Sequence, residues 1–291
     1  QKYYLIRSKY PVYFSYLESN TIRINSRPMP YFMDFHIFEQ ITVDEVKQAH
    51  IADRSVENRH GVKVHQFWVN EDLGTVICLM EGPNAEACSR VHQEAHGNVA
   101  CNITEVKKGF YEKFMGEQPG LDHGLVLKPD GQVDDGLRYL LVVDLVHRTN
   151  ASHSGEFQKL LAPSRASVVV TNAIVEFNGA VVRNDWDDSI LGVFSEPNNA
   201  VRGAMEIRRL LCPKEEMLRF KIGLSQGKPM SREEGFFEES LRDAKILNLV
   251  AEDKQIVLDF DAHKIAPDFR LMASSHDIRI LSPVHRTFLK T

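Results

Sequence analysis

The stretch Met29–Phe38, M-P-Y-F-M-D-F-H-I-F, alternates as a strand does. Phe32, Asp34 and His36 fall on one face and Met33, Phe35 and Ile37 on the other, because successive strand residues point to opposite sides. Thr42 and Glu45 then form the capping box T-V-D-E, which opens a helix running to about Asn58. His60-Gly61 closes it, since glycine readily adopts the left-handed conformation found at helix C-termini. Val62–Val69 and Thr75–Glu81 read as two strands around the turn Asn70–Gly74. Asn84 caps a second helix through His96, stopped by Gly97, and Val99–Val106 is a fourth strand. The order β-α-β-β-α-β predicts a ferredoxin-like domain within an α+β protein.

Working outward, residues 108–136 are irregular and rich in Gly, Lys and Asp, with Gly116, Gly120, Gly124 and Gly131; they read as a linker or an edge hairpin. A second domain opens on the apolar strand Tyr139–Leu145. A helix around Gly155–Ile174, a hairpin through Phe177–Phe194 and an amphipathic helix at Asn199–Leu211 follow. The strand Leu218–Ser225, a helix at Phe237–Val250 and the strand Gln255–Phe260 complete it. The expected division is 1–28 as a non-native or arm segment, 29–107, a linker at 108–136, 137–262, and a tail at 263–291.

At 291 residues the chain is long enough for two domains that each bury a core. The apolar fraction of 43% and charged fraction of 26% are ordinary for globular proteins. A net charge of -5 gives no electrostatic reason to expect these residues to bind nucleic acid or a membrane. No apolar run approaches the roughly 20 residues of a membrane helix, and no signal peptide is recognisable. Cys78, Cys88, Cys101 and Cys212 have no C-x-x-C spacing and form no disulfide framework, so reduced thiols in a cytoplasm are expected.

Four histidines of the first domain stand where they can converge: His36 on the first strand, His50 on the first helix, and His92 and His96 on the second. The last pair has i, i+4 spacing, so both rings project from one helix face and can share a metal. Imidazole suits nickel, zinc or copper, and Asp34, Asp53 or Cys78 would complete a shell. Solvated or capping histidines are the commoner meaning of a lone H-x-x-x-H; four on one small domain raise the metal reading above it.

The stretches M-P-Y-F-M-D-F-H-I-F, A-H-I-A-D, F-W-V-N-E-D-L-G-T-V-I-C-L-M-E-G-P-N-A-E-A and V-H-Q-E-A-H-G resemble a small bacterial family of ferredoxin-like proteins with a nickel-binding, dimer-forming member. The resemblance covers about residues 29–107. It implies that His36, His50, His92 and His96 stand at the family's recurrent histidine positions, with nickel as the metal and a homodimer as the assembly. His60 and His65 match no recurrent position and read as surface residues.

In the second domain, Y-L-L-V-V-D-L-V-H-R-T resembles the first strand of class III adenylate/guanylate cyclase domains, and R-N-D-W-D-D-S-I-L-G-V-F resembles their second metal hairpin. The likeness extends over about 137–260 and implies Mg²⁺ at Asp144 and Asp188, with Thr149 matching the end of the strand. His147 and Arg148 replace the usual small residues, and Ser189 stands where a glycine is usual. Cyclisation also needs donors for the charge that develops on the transferred phosphorus. The family supplies them as an asparagine and an arginine four apart on the late helix, but here those positions hold Arg242 and Ile246, or Leu241 and Lys245 in a shifted register. The base-selecting lysine is missing too, with Asn184 nearest. Asp144 and Asp188 are therefore expected to be inherited scaffold without turnover, while Arg242 and Lys245 keep the capacity to grip a nucleotide's phosphate.

The two ends carry expectations of their own. Residues 1–28 begin with Gln1 and hold five of the eight tyrosines, Tyr3, Tyr4, Tyr10, Tyr13 and Tyr16, without a periodic pattern. Met29 is expected to be the natural start and the preceding segment dispensable; the rival is a genuine arm on the sheet. The final I-R-I-L-S-P-V-H-R-T-F-L-K-T weakly resembles the entry to an AraC-type helix-turn-helix, which implies contact with DNA only through a further domain. Three functions follow: a metal- or nucleotide-responsive signalling module without turnover, an active nucleotide cyclase, or a plain metal carrier. The missing donors count against the second and the extra domain against the third.

Overall fold

The computed structural model describes residues 28–116, 120–147, 156–182, 189–212, 218–260 and 278–280. Both the N-terminal segment and the last helix start, at Ser282, lie outside them. The first unit runs β1 (Tyr31–Ile37), α1 (Val43–Val56), β2 (Lys63–Asn70), β3 (Thr75–Glu81), α2 (Ala85–Ala95) and β4 (Asn102–Val106). Its strands lie in the order β4-β1-β3-β2, all antiparallel, the ferredoxin-like arrangement.

Local chemistry sets the ends of these elements. The Glu45 carboxylate accepts the Thr42 amide at 2.9 Å and Thr42 Oγ1 accepts the Glu45 amide at 3.4 Å, the reciprocal capping box. After α1 a 3-10 turn at Glu57–His60 ends on Gly61, whose φ of 64° lies in the left-handed region. Asn84 Oδ1 accepts the Ala87 amide at 2.8 Å and starts α2. Strand β4 begins three residues later than Val99, because the Val99 amide turns back to the Gly97 carbonyl at 3.1 Å and leaves its side chain exposed.

Residues 108–136 are more ordered than their composition suggests. They form helix α3 (Lys108–Met115) and the hairpin β5 (Gly120–Asp122)–β6 (Leu125–Leu127), and β6 pairs parallel to β2, extending the first sheet. Helix α3 escapes a reading of periodicity because it has only two turns framed by lysines and glycine. Phe110, Tyr111, Phe114 and Met115 nevertheless share one inward face.

The second unit repeats the topology of the first. Strand β7 (Arg138–His147), α4 (Glu156–Glu176), β8 (Ala180–Val182), β9 (Ile190–Phe194), α5 (Pro197–Leu211) and β10 (Leu218–Gly227) place their strands in the order β10-β7-β9-β8. Helix α6 (Glu238–Val250), β11 (Ile256–Leu258) and β12 (Ile278–Ile280) follow, with β11 and β12 parallel to β10 and to each other.

Two alternating faces of β7 organise the packing. Tyr139, Leu141 and Val143 face α4 and α5, with Val170, Ile174, Ala204 and Ile207. Leu140 and Val142 face the other way, into a core that also holds Val182, Leu191 and Val193 of the second sheet and Met33, Phe35, Trp68, Ile77 and Leu79 of the first. The two units thus meet back to back through their sheets, with α3, Phe236 and Phe237 sealing the seam. Arg138 fastens it: the buried guanidinium pairs with Asp134 at 2.8 Å and donates to the carbonyls of Phe114 and Met115 at the end of α3.

Helix α6 lies close on β10 because Gly223 has no side chain there. A Cβ at that position would stand 2.3 Å from the Ala244 carbonyl oxygen and 2.4 Å from the Asn248 nitrogen. Asn248 in turn donates to the carbonyls of Val142 and Lys221. Gly223→Ala is expected to lower stability by about 1–3 kcal/mol, the usual cost of overpacking. Urea denaturation would check it, and an unchanged midpoint would mean that α6 is free to slide.

Candidate metal centre

The helix-facing side of the first sheet carries a buried polar cluster. Asp34 and His36 project from β1, two residues apart and so on the same face. His50 and Asp53 project from α1 at i, i+3, together with Val46 and Val56 on its buried side. His92 lies in the last turn of α2, and His96 is the residue that ends that helix. Cys78 stands on β3 directly across from Asp34.

His92 is the hub. Its Nε2 lies 2.8 Å from Asp34 Oδ2 and its Nδ1 3.0 Å from Asp53 Oδ1. His36 Nε2 reaches Asp34 Oδ1 at 3.1 Å, and His96 Nε2 reaches Asp53 Oδ1 at 3.2 Å. The rings of His36 and His92 sit edge to face at 4.9 Å, and those of His92 and His96 5.3 Å apart. Asp34, Asp53, His36 and His92 are buried, and His96 is half-buried at the rim.

Burial and charge act against each other here. Burial alone would neutralise the carboxylates, but His92 and His36 hold Asp34 well below the usual carboxylate range. Asp53 is likewise held down, against burial, by His92 and His96. Burial disfavours the His92 cation, yet the two carboxylates overcome it and raise its pKa to about 10. The Cys78 thiol is pushed well up, first by burial and then by Asp34 and Asp53.

Two donor groups share His92: Asp34, His36, Cys78 and His92, and Asp53, His92 and His96. Within each group the ligand atoms lie within 4.8 Å of one another. Ions bound at about 2.0–2.3 Å hold their ligands roughly 3–4 Å apart, so the side chains of either group lie close to the spacing that an ion needs. The imidazole, carboxylate and thiol donors suit nickel, zinc or copper. These residues fit a metal.

Three of the four expected histidines therefore converge, and two carboxylates join them at the centre of the hydrogen-bond network. His50 stands apart from both donor groups. It is 3% exposed, its ring lies 4.9 Å from that of Phe67, and neither ring nitrogen has a hydrogen-bond partner. His60 pairs with Glu94, and His65 with Glu81, away from the cluster.

In the second unit, Asp144 is half-buried on β7 opposite Lys221 of β10. Asp188, Asn184 and Thr149 lie outside the described residues. Arg242 is exposed on α6, and its Nη1 donates to both oxygens of Glu234 at 2.7 and 2.8 Å. Lys245 lies one turn further along the helix. A cleft of about 610 Å³ bordered by Glu71, Asp72, Asp135 and Lys228 contains none of the cluster's donors.

Comparison with known proteins finds likenesses of two kinds. The family model for nickel responsive proteins of the SCO4226-like kind matches residues 32–106. The crystal structure of SCO4226 from Streptomyces coelicolor A3(2) is 47% identical over 26% of this chain and 94% of that one, with a TM-score of 0.25. An adenylate/guanylate cyclase/hydrolase from Silicibacter pomeroyi is 21% identical over 45% of this chain and 80% of its own, with a TM-score of 0.36. The guanylate cyclase domain of RhGC from Catenaria anguillulae, solved with GTP, is 14% identical over 45% and 81%, with a TM-score of 0.35. No curated protein matches the chain. Through residues 32–106, the chain belongs to the SCO4226-like family of nickel responsive proteins.

Proposed function

We propose that the chain is a nickel-responsive regulatory protein whose first unit binds the metal and whose cyclase-like second unit responds without turning over a nucleotide. The observation that carries this reading is the His92 cluster, where Asp34, His36 and Cys78 on one side and Asp53 and His96 on the other surround one imidazole. Such a set is ill suited to remain metal-free. It confines carboxylates and histidines in a dry space where each is stabilised only by its neighbours. A divalent ion would replace the His92 proton and bind ligands already spaced for it, so affinity should fall as pH drops and protons compete for imidazole.

A route from metal to second unit is supported by strand β1. Asp34 and His36 occupy its metal-facing side, while Met33 and Phe35 on the reverse pack into the core shared with Leu140 and Val142. Those two residues belong to the strand that bears Asp144. A change in β1 on loading is thus felt by β7 through direct packing. The expected absence of turnover rests on the late helix, where the donor positions hold Arg242 and Ile246, or Leu241 and Lys245 in the shifted register. Arg242 already has an acceptor in Glu234.

The four cysteines are free, which suits a reducing cytoplasm. Among the described residues no helix is long and apolar enough to cross a membrane. A homodimer would have to use a surface other than the sheet face that the second unit covers.

Two measurements test the reading. Elemental analysis and calorimetry on protein purified without a histidine tag should give about one nickel per chain, with binding lost in the His92→Ala/His96→Ala double variant. Incubation with ATP or GTP and Mg²⁺ or Mn²⁺ should yield no cyclic nucleotide. Product that disappears on Asp144→Ala would establish an active cyclase instead.

A further inference from the structure

His50 is the buried polar group that the cluster leaves unused. It shares a helix face with Asp53, and Phe67 beneath its ring is in register with Cys78 of the donor set. Both ring nitrogens are without a partner, although a buried polar group is normally satisfied. What seals it is the β5–β6 hairpin, which lies outside the segment matched by the nickel responsive family. Gly124, at a φ of 91° in the turn, sits flush on the imidazole: a Cβ there would stand 2.2 Å from His50 Nε2. Contacts to α1 and β2 tie the turn down. Lys47 Nζ donates to Asp122 at 2.6 Å, and the Phe67 amide donates to the Gly124 carbonyl at 2.8 Å. By contrast, Leu125 and Val126 just beyond are buried anchors, so the Asp122–Gly124 turn can lift at the cost of that one bond to β2 while their side chains stay seated.

We infer that the Asp122–Gly124 turn is a lid over His50 that lifts when nickel binds, so that His50 swings out of its dry slot to join the donors around His92. This rests on the metal reading above. The unpaired nitrogens make the closed state costly, and ligation relieves it. Only one helical turn separates His50 from Asp53. Lys47, from the same helix, holds the turn down. The hairpin therefore tunes how readily the metal site gains an extra imidazole.

The test uses the full chain with Ni²⁺ itself. Hydrogen exchange of the Phe67 amide reads the lid, because that amide's acceptor is the Gly124 carbonyl. Saturating nickel should speed its exchange by about tenfold in the wild type and leave it unchanged in His50→Ala. Lys47→Ala, which frees the turn without touching its backbone, should raise nickel affinity about threefold, the scale of a part-exposed ion pair. That gain should vanish in the Lys47→Ala/His50→Ala double variant. Nickel bound with Phe67 protection unaltered, or an equal gain in both backgrounds, would overturn the lid while leaving the metal site standing. No nickel heat in the wild type would overturn both.

Discussion

His92→Ala is expected to abolish tight nickel binding and to destabilise the metal-free protein together. His92 is the one residue common to both donor groups, so its loss should lower affinity by about 100-fold or more, beyond what removal of a supporting group costs. It also strips the buried carboxylates of Asp34 and Asp53 of their shared cation. Removing one partner from a buried ionic network costs about 3–5 kcal/mol. The sign of the pH dependence follows from His92. Its folded pKa of about 10 lies above the ordinary 6.5, so its stabilisation is full below about 6.5 and is lost as pH rises towards 10. Metal-free wild type should therefore weaken across that range, and His92→Ala should lack the slope. Urea denaturation at several pH values, with calorimetry for nickel, would check both parts. A variant as stable as the parent at pH 7 would contradict the hub assignment.

Trp68→Ala should cost about as much, and at a distance from the metal. The indole is fully buried in the core shared by the two sheets, and truncation of such a side chain typically costs 3–5 kcal/mol. Gly136 of the connecting segment lies close against it: a Cβ there would stand 3.4 Å from Trp68 Cβ and 3.7 Å from Pro229. Since Trp68 lines a seam and not the core of one unit, the full chain should melt in a single calorimetric transition that shifts as a whole in the variant. The same packing predicts the behaviour of a fragment of residues 29–107. Met33, Phe35, Trp68, Ile77 and Leu79 would be stripped of their cover, and an exposed apolar face of that kind drives association. Sedimentation should find the fragment self-associated at concentrations where the full chain is not. Two separate transitions, with only one moved by Trp68→Ala, would show the units to be independent.

Much of the first unit was legible because its signals are local. The T-V-D-E capping box, Asn84 before an apolar helix and glycines at 61 and 97 each specify a backbone end through neighbours within four residues. Strand alternation then dictated which residues face which way. The histidine cluster was legible to the same extent: His92 and His96 are one turn apart, and Asp34 and His36 share a strand face. The short helix α3 was not, since two turns between lysines and glycine carry too little periodicity. Its stability comes from Phe114 against Phe236 and Phe237, more than a hundred residues away.

By itself, then, the sequence determined where most elements begin and end and which strand and helix faces carry the histidines. These are properties of residue type and of spacing within one element, and periodicities of two and 3.6 residues convert them directly into faces. Tertiary structure alone decided that Asp34 and Asp53 clamp His92, because three separate elements must converge before any of those distances exists. It also decided that His50 is sealed under Gly124. His50 acquires Gly124 as a neighbour only when the hairpin of residues 120–127 is laid beside β2. Above all, it decided that two ferredoxin-like units share one core, since the outward faces of Met33 and Leu140 look equally apolar whether they meet each other, a second copy or another element. Long-range burial selects among those partners, and it has no local signature.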